Sequence, residues 1–366
     1  MNCSAERLAR LNPRPFIRAT GLVLLAASGV SAQDTLTVSG VVQCDDCAIT
    51  LDTVVTIGGL DGPGIHVIER GNSVAVDRLG RILVAHYRYP EISVFDSTGT
   101  FLRTVGRAGE GPGEFQLIEH LDAGPEYIHV FDSRGRTLFD YDFRVVRTDR
   151  FAGNLGNSFV TDDDDVVLTG DMRTMAAVGH SLHILRKSGE AVSGGGGDNR
   201  AYLRRTTEQL SPVAGDAGNA WVVHHYPNRM THWDLVGTPR ATTVIDRVVE
   251  EYDKHDQELS PQPRNHGAKL DAHGLWILWS GPDPRWKPTR DPARPRSIPS
   301  ERRLDSWLDL VDPATGLTVA RYRDDYVLSR FANGSRYLVR YRETAAGIPS
   351  ITLLNPRLSR GAARPR

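Results

Sequence analysis

Short apolar runs separated by turn residues recur along most of the chain. From residue 73 they read SVAVD (73–77), RILVAH (81–86), ISVFD (92–96) and FLRTV (101–105), with Gly, Asp or Ser between them. Runs this short, bounded by such residues, predict antiparallel strands joined by tight turns, a β-meander. The next stretch repeats the pattern as LIEHLD (117–122), YIHVFD (127–132), RTLFDYD (136–142) and FRVVRT (143–148). Val94-Phe95-Asp96 and Leu138-Phe139-Asp140 hold the same place 44 residues apart. A fixed period of this size is the mark of a repeat architecture.

Later units keep the rhythm with weaker similarity. A third runs through SFVTD, VVLTGD, SLHILRK and EAVS (158–193), and a fourth through QLSPVA, AWVVHHY, MTHWDLVG and ATTVID (209–246). A fifth starts at GAKLD (267–271) and GLWILWS (274–280), takes an insertion, and resumes with SWLDLVD (306–312) and TVARYR (318–323). The last unit supplies only three runs, YVLSRF, RYLVRYR and SITLLN (326–355). The missing strand is available at the other end of the chain, in AITLDTVVTIGG (48–59). Supplying it closes a ring and removes free sheet edges, which would otherwise pair with other chains. The expectation is an all-β, six-bladed β-propeller of four-stranded antiparallel blades forming one domain over 33–366. Its blades fall at about 72–105, 117–148, 157–193, 208–246, 267–323 and 325–355, with 49–58 as the closing strand.

GPGEFQLIEHLDAGPEYIHVFDSRGRTLFDYDFRVVRT (111–148) resembles an NHL repeat: Gly-x-Gly-x-Phe, a strand, a second strand ending in Asp, then a third before a glycine turn. The mature chain is similar to exported bacterial six-bladed propellers of this NHL-like group, most clearly over 56–150. Asp132 fits the strand-end Asp, whereas the first blade has His86 there. The resemblance implies the propeller fold. It leaves function open, since such propellers include ligand- and protein-binding modules and a few metal-dependent lyases and lactonases.

The glycine-rich run TVGRAGEGPGEF (104–115) invites a phosphate-loop reading. A phosphate cradle needs a helix behind the loop, and the P-loop form ends in Gly-Lys-Ser/Thr. Here the run ends Gly113-Glu114-Phe115 and leads into strands, and TIGGLDGPGI (56–65) is a second copy of it. It reads as a connector between repeats.

The first residues change the picture of where the protein works. Arg7, Arg10, Arg14 and Arg18 precede GLVLLAASGV (21–30), and Val30-Ser31-Ala32 forms a cleavage box, so residues 1–32 read as a secretory signal peptide. The apolar run is short for a membrane span. Removing four arginines and Glu6 takes away +3, and the formal charge moves from −1 to −4. A mildly acidic exported chain argues against nucleic-acid binding. The expected location is periplasmic or secreted, with no transmembrane segment after cleavage, as a monomer. Cys44 and Cys47 are then the remaining cysteines. In an oxidising compartment a disulfide clip is the default, with a redox pair or half of a zinc site as alternatives.

Candidate chemistry is sparse. No Gly-x-Ser-x-Gly or His-Glu-x-x-His motif occurs. Asp162–Asp165 reads as a solvated turn, because it lacks the alternating spacing and glycine of a calcium loop. The pair His224-His225, with His232 nearby, can send only one ring of the pair to each sheet face. Turns after the second strand of each blade share a rim, and they bring His86, Arg88, His225, Arg340 and Arg342 together as ligand-binding candidates, a composition suited to a carboxylate, sulfate or sugar. The proline- and arginine-rich insertion 281–303 adds Trp286. The function expected is an exported binding or scaffold propeller, without catalysis or cofactor, that engages a small ligand or a protein partner through rim loops. The alternative is a metal-dependent hydrolase or lyase holding Ca²⁺ or Zn²⁺ over the central channel.

Overall fold

The apolar runs fold as strands of six separate sheets. The computed structural model describes residues 34–59, 68, 71–86, 88–173, 182–194, 210–214, 218–224, 228–249, 263–283, 285, 304–343 and 346–361. The signal-peptide reading of 1–32 lies outside them. Two N-terminal strands come first, β1 (Asp34–Ser39) and β2 (Cys47–Gly58). Blade one follows with β3 (Gly71–Val76), β4 (Ile82–His86), β5 (Ile92–Phe95) and β6 (Phe101–Val105), and blade two with β7 (Ile118–Ala123), β8 (Ile128–Asp132), β9 (Gly135–Phe139) and β10 (Val145–Arg150). Blade three holds β11 (Ala152–Val160), β12 (Val166–Arg173), β13 (Leu182–Leu185) and β14 (Ala191–Gly194). Blade four holds β15 (Leu210–Ala214), β16 (Asn219–His224), β17 (Arg229–Asp234) and β18 (Arg240–Val248). Blade five holds β19 (Arg264–Asp271), β20 (Gly274–Pro282), β21 (Leu304–Val311) and β22 (Thr318–Asp324). Blade six adds β23 (Leu328–Phe331), β24 (Leu338–Glu343) and β25 (Pro349–Arg360). Each blade is an antiparallel meander in chain order, and no helix occurs among the described residues.

The ring closes as the sequence predicts. β2 pairs antiparallel with β25 from Cys47↔Arg360 to Gly58↔Ser350 and becomes the outer strand of blade six. Its Ile49, Val55 and Ile57 are buried. At about 1.5–3 kcal/mol per buried aliphatic side chain, this closure contributes several kcal/mol.

Among the described residues, six apolar clusters, one between each pair of adjacent blades, form the core, with a small seventh of Val249 and Trp279 beside blade five. A middle strand therefore has both faces covered. This is why β4 (ILVAH) and β20 (GLWILWSG) read as continuous apolar runs, while the outer strand β10 is mostly exposed. Aspartates set the turns. Asp77 Oδ1 accepts the N–H groups of Leu79 and Arg81, and Asp96 Oδ1 those of Thr98 and Thr100, all at 2.9 Å.

One element has no counterpart in the sequence reading. β1 pairs in parallel with β18 and adds a fifth strand to blade four. The chain then crosses to blade five, where Gln43 N–H donates to Thr318 O (2.9 Å) and Cys44 N–H to Val319 O. A Cys44–Cys47 disulfide marks the turn into β2. Residues 34–58 thus strap the outer edges of blades four, five and six.

Candidate functional site

The glycine-rich connector turns out to be filled by its own side chain. Glu114 Oε2 accepts the N–H groups of Glu110 (3.1 Å) and Gly111 (2.9 Å), and its Oε1 accepts from Arg107 Nε (2.8 Å). The hydrogen bond from Gly111 and then the Arg107 contact hold the Glu114 carboxyl below its usual range. An anion nest exists here, and the protein's own carboxylate occupies it.

The rim brings two of the candidate residues together. Arg340 and Arg342 lie on β24, two residues apart and so on one face, and both guanidinium groups sit over the ring of Tyr326, at 5.4 and 3.8 Å from its centroid. Tyr326 is 44% exposed and borders a hollow of about 210 Å³ with Val327, Tyr341, Arg342 and Glu343. The neighbouring arginines are charge-paired: Arg340 with Asp324, Arg323 with Asp305 (2.5 Å), and Arg285 with Asp283 (2.9 Å). Arg342 has no carboxylate within ion-pair distance among the described residues. Burial raises the Asp305 carboxyl, with Arg323 pulling the other way.

The remaining candidates scatter. His86 ends β4, only 3% exposed, with Nε2 2.7 Å from Ser93 Oγ in the same blade. Arg88 is exposed in the connection that follows. His225 and Trp286 lie outside the described residues. His224 and His232 do not converge: Nε2 of His224 meets Thr231 Oγ1 (3.0 Å), whereas Nδ1 of His232 meets Thr242 Oγ1 (2.8 Å). Burial pushes His224 down to about 4, helped by Arg229.

Sequence reasoning missed a polar cluster at the other end of the channel. The turn after β23 reaches across β3 to blade two: Val76 N–H donates to Asn333 O (2.8 Å), and Asn333 Nδ2 donates to Leu121 O (2.6 Å) and to His120 Nε2 (3.2 Å). With Nε2 accepting, the neutral His120 ring carries its proton on Nδ1. Gly334 (φ +70°) permits this approach, since a Cβ there would lie 2.5 Å from Val76 O. Behind the turn a cavity of about 70 Å³ is lined by Asp122, Ser158, Lys269, Asn333 and Ser335. Ser158 Oγ donates to Asp122 Oδ2 (3.0 Å). Burial pushes the Lys269 ammonium below the usual lysine range, with Asp122 and Asp271 partly offsetting it. The available signal was a His-x-Asp pair on an inner strand and a strand lysine in a chain with four lysines.

For the metal alternative, the group with ligand spacing among the described residues is Cys44, Asp46 and Cys47, and the disulfide ties up both sulfurs. The pair forms the expected clip, which leaves no thiolate for the zinc reading.

The four consecutive aspartates do not form one solvated turn. Asp162 and Asp163 are exposed, whereas Asp164 is fully buried at φ +61°. Its carboxylate accepts from Glu126 N–H (2.7 Å) and Tyr127 N–H (3.1 Å) of blade two, with His129 Nε2 at 3.4 Å.

Comparison with known proteins agrees on the fold. A family model described as a 6-bladed beta-propeller matches residues 70–166. No curated protein matches the chain in sequence. Among solved structures, a Bacteroides fragilis protein described as exported is similar with a TM-score of 0.53 at 12% identity, over 89% of this chain and all (100%) of that one. Virginiamycin B lyase of Staphylococcus aureus follows at TM-score 0.49 and 8% identity, covering 84% and 99%. An aldose sugar dehydrogenase of Streptomyces coelicolor has a TM-score of 0.45 at 14% identity, covering 85% and 98%. Likeness this distant speaks to architecture, and the last two carry no argument. Among the described residues no helix is long and apolar enough to cross a membrane.

Proposed function

We propose that this six-bladed propeller is an exported, NHL-like binding protein that takes a small anionic ligand on the rim of blade six. The observation that carries the reading is Arg342. In a rim where Arg285, Arg323 and Arg340 each pair with an aspartate, Arg342 sits over the Tyr326 ring, 3.8 Å from its centroid, with no carboxylate within ion-pair distance among the described residues. The cation–π contact holds the guanidinium beside the ring without using its N–H donors in a salt bridge, and its planar fork suits a carboxylate or sulfate bidentately. Tyr326 beside it offers a face to an apolar or sugar portion of the same ligand. Arg88, His225 and Trp286 are the further residues this reading assigns to ligand contact. The disulfide and the signal-like N-terminus support export.

The test is calorimetric titration of the purified mature protein with a panel of small dicarboxylates and sulfated sugars. Arg342→Gln and Tyr326→Leu are expected to weaken the strongest binder about tenfold or more, the loss of roughly one charge-assisted contact. Lys269→Gln, at the far end of the channel, is expected to leave it unchanged. Loss of binding in the Lys269 variant alone would move the site to the channel floor and refute the rim reading.

A further inference from the structure

A third recess lies between blades three and four, and it shares Phe159 and Val160 with the cavity that holds Asp122 and Lys269. Its volume is about 440 Å³, within the range of ligand pockets. Its accessible apolar surface comes from Phe159, Leu235 and Val236, backed by the buried Val167 and Ile184 of the core between the two blades. Val236 is 76% exposed, the most exposed large apolar residue described. One lip carries Asp162, Asp163 and Asp165 with Arg186. Arg186 is taken up by Asp165 at 2.6 Å. On the opposite wall Asp234, beneath the turn carrying Val236, is matched by Arg240 at 2.9 Å. Three carboxylates and one guanidinium leave the lining at −2, carried by Asp162 and Asp163, and among the described residues neither carboxylate has an ion pair or hydrogen bond.

We infer that this groove docks a short extended segment of a partner protein in which basic residues flank an aliphatic side chain. Phe159, Leu235 and Val236 take the aliphatic group, and Asp162 and Asp163 take the cations. A side chain removed from water on Phe159, Leu235 and Val236 supplies the attraction, and the charges at the lip select the sign of the partner and its orientation. A groove of this size buries far less than the area of a stable protein–protein interface, so the contact is a transient one. The buried Asp164 fixes the turn that presents Asp162 and Asp163, so the lip is pre-organised. The site is separate from the rim proposed above and does not depend on it.

The probe is a fluorescein-labelled peptide of alternating arginine and leucine, acetyl-Arg-Leu-Arg-Leu-Arg-amide, followed by anisotropy against the full mature protein. Saturable binding is expected at low ionic strength. The double substitution Asp162→Asn, Asp163→Asn is expected to weaken it about three- to tenfold, with the difference vanishing near 1 M salt, where screening removes exposed charge pairs. Val236→Arg, at an exposed position that leaves the fold intact, is expected to abolish it. Peptides with serine in place of leucine, or glutamate in place of arginine, are expected not to bind. Equal binding of either control peptide would overturn the proposal, as would indifference to both variants. Sedimentation showing a dimer of the native protein that Val236→Arg dissociates would also overturn it, because the groove would then belong to a second copy.

Discussion

The aspartate run 162–165 makes a sharp prediction, because four identical side chains in sequence have unequal surroundings. Asp164→Ala removes two hydrogen bonds between its carboxylate and the backbone of blade two, at 2.7 and 3.1 Å. Bonds to a charged acceptor are worth about 1.5–3 kcal/mol each. Glu126 is exposed and its freed N–H can turn to water, so about 3 kcal/mol in total is the reasonable figure for both. The φ of +61° adds about 1 kcal/mol when alanine replaces aspartate in the left-handed region. The expected loss is therefore about 4 kcal/mol. Asp164→Asn keeps one acceptor and tolerates the backbone angle, and should lose about 1–2 kcal/mol. Asp164→Gly relieves the angle but not the bonds, and should fall between them. Asp163→Ala, at an exposed position, should stay within about 0.5 kcal/mol of wild type. Asp165→Ala removes a partly exposed pair with Arg186 and one hydrogen bond from Lys187 N–H (2.8 Å), and should cost about 2 kcal/mol, less than Asp164→Ala. Urea unfolding with the m-value held common reads these differences as midpoint shifts. If Asp164→Ala unfolds at the same urea concentration as Asp163→Ala, the anchoring role is wrong. If Asp164→Gly restores full stability, backbone strain and not hydrogen bonding is the cause.

Three further outcomes are expected. Gly334→Ala should destabilise by about 2 kcal/mol or more, since its Cβ would press on Val76 O at a positive φ, and should release the turn that holds Asn333 against His120, visible as a shifted His120 ring resonance. His224 is held neutral, its pKa lowered by burial from 6.5 to about 4. Below pH 6.5 the unfolded chain gains a proton that the folded one refuses, so stability falls as pH drops from about 6.5 to about 4, by about 3 kcal/mol in all, and levels off beneath. The His224→Gln variant should show a shallower slope in melts run across the pH range, the remainder coming from His129, which burial also lowers; an unchanged slope would assign it to other groups. Reducing the Cys44–Cys47 bond opens a loop of only a few residues, and the chain-entropy relation gives about 2 kcal/mol for it. Urea midpoints with and without reductant should differ by that amount, and a Cys44→Ser, Cys47→Ser protein should show no difference.

The blades were legible in the sequence because a blade is a local object. Its four strands follow one another through short turns, and aspartate and glycine at those turns carry their own conformational instructions, as at Asp77 and Asp96. Even the closing strand could be found, since the sixth unit is one run short and residues 48–59 repeat the run that ends the first blade. Arg340 and Arg342 share a strand face, so their meeting needed only the period of two. What only the tertiary structure decided lies between blades. DTLTVS (34–39) is short and polar, and nothing in it says that it adds in parallel to blade four; an open sheet edge accepts any strand through its backbone groups. The chain order likewise does not reveal that Asn333 meets His120 across 213 residues, or that Lys269 shares a cavity with Asp122. Asp164 shows the same division within a single turn. Its backbone conformation is local, but its burial exists only because blade two presents two N–H groups to it, and the packing of blade three against blade two is what brings those partners within reach.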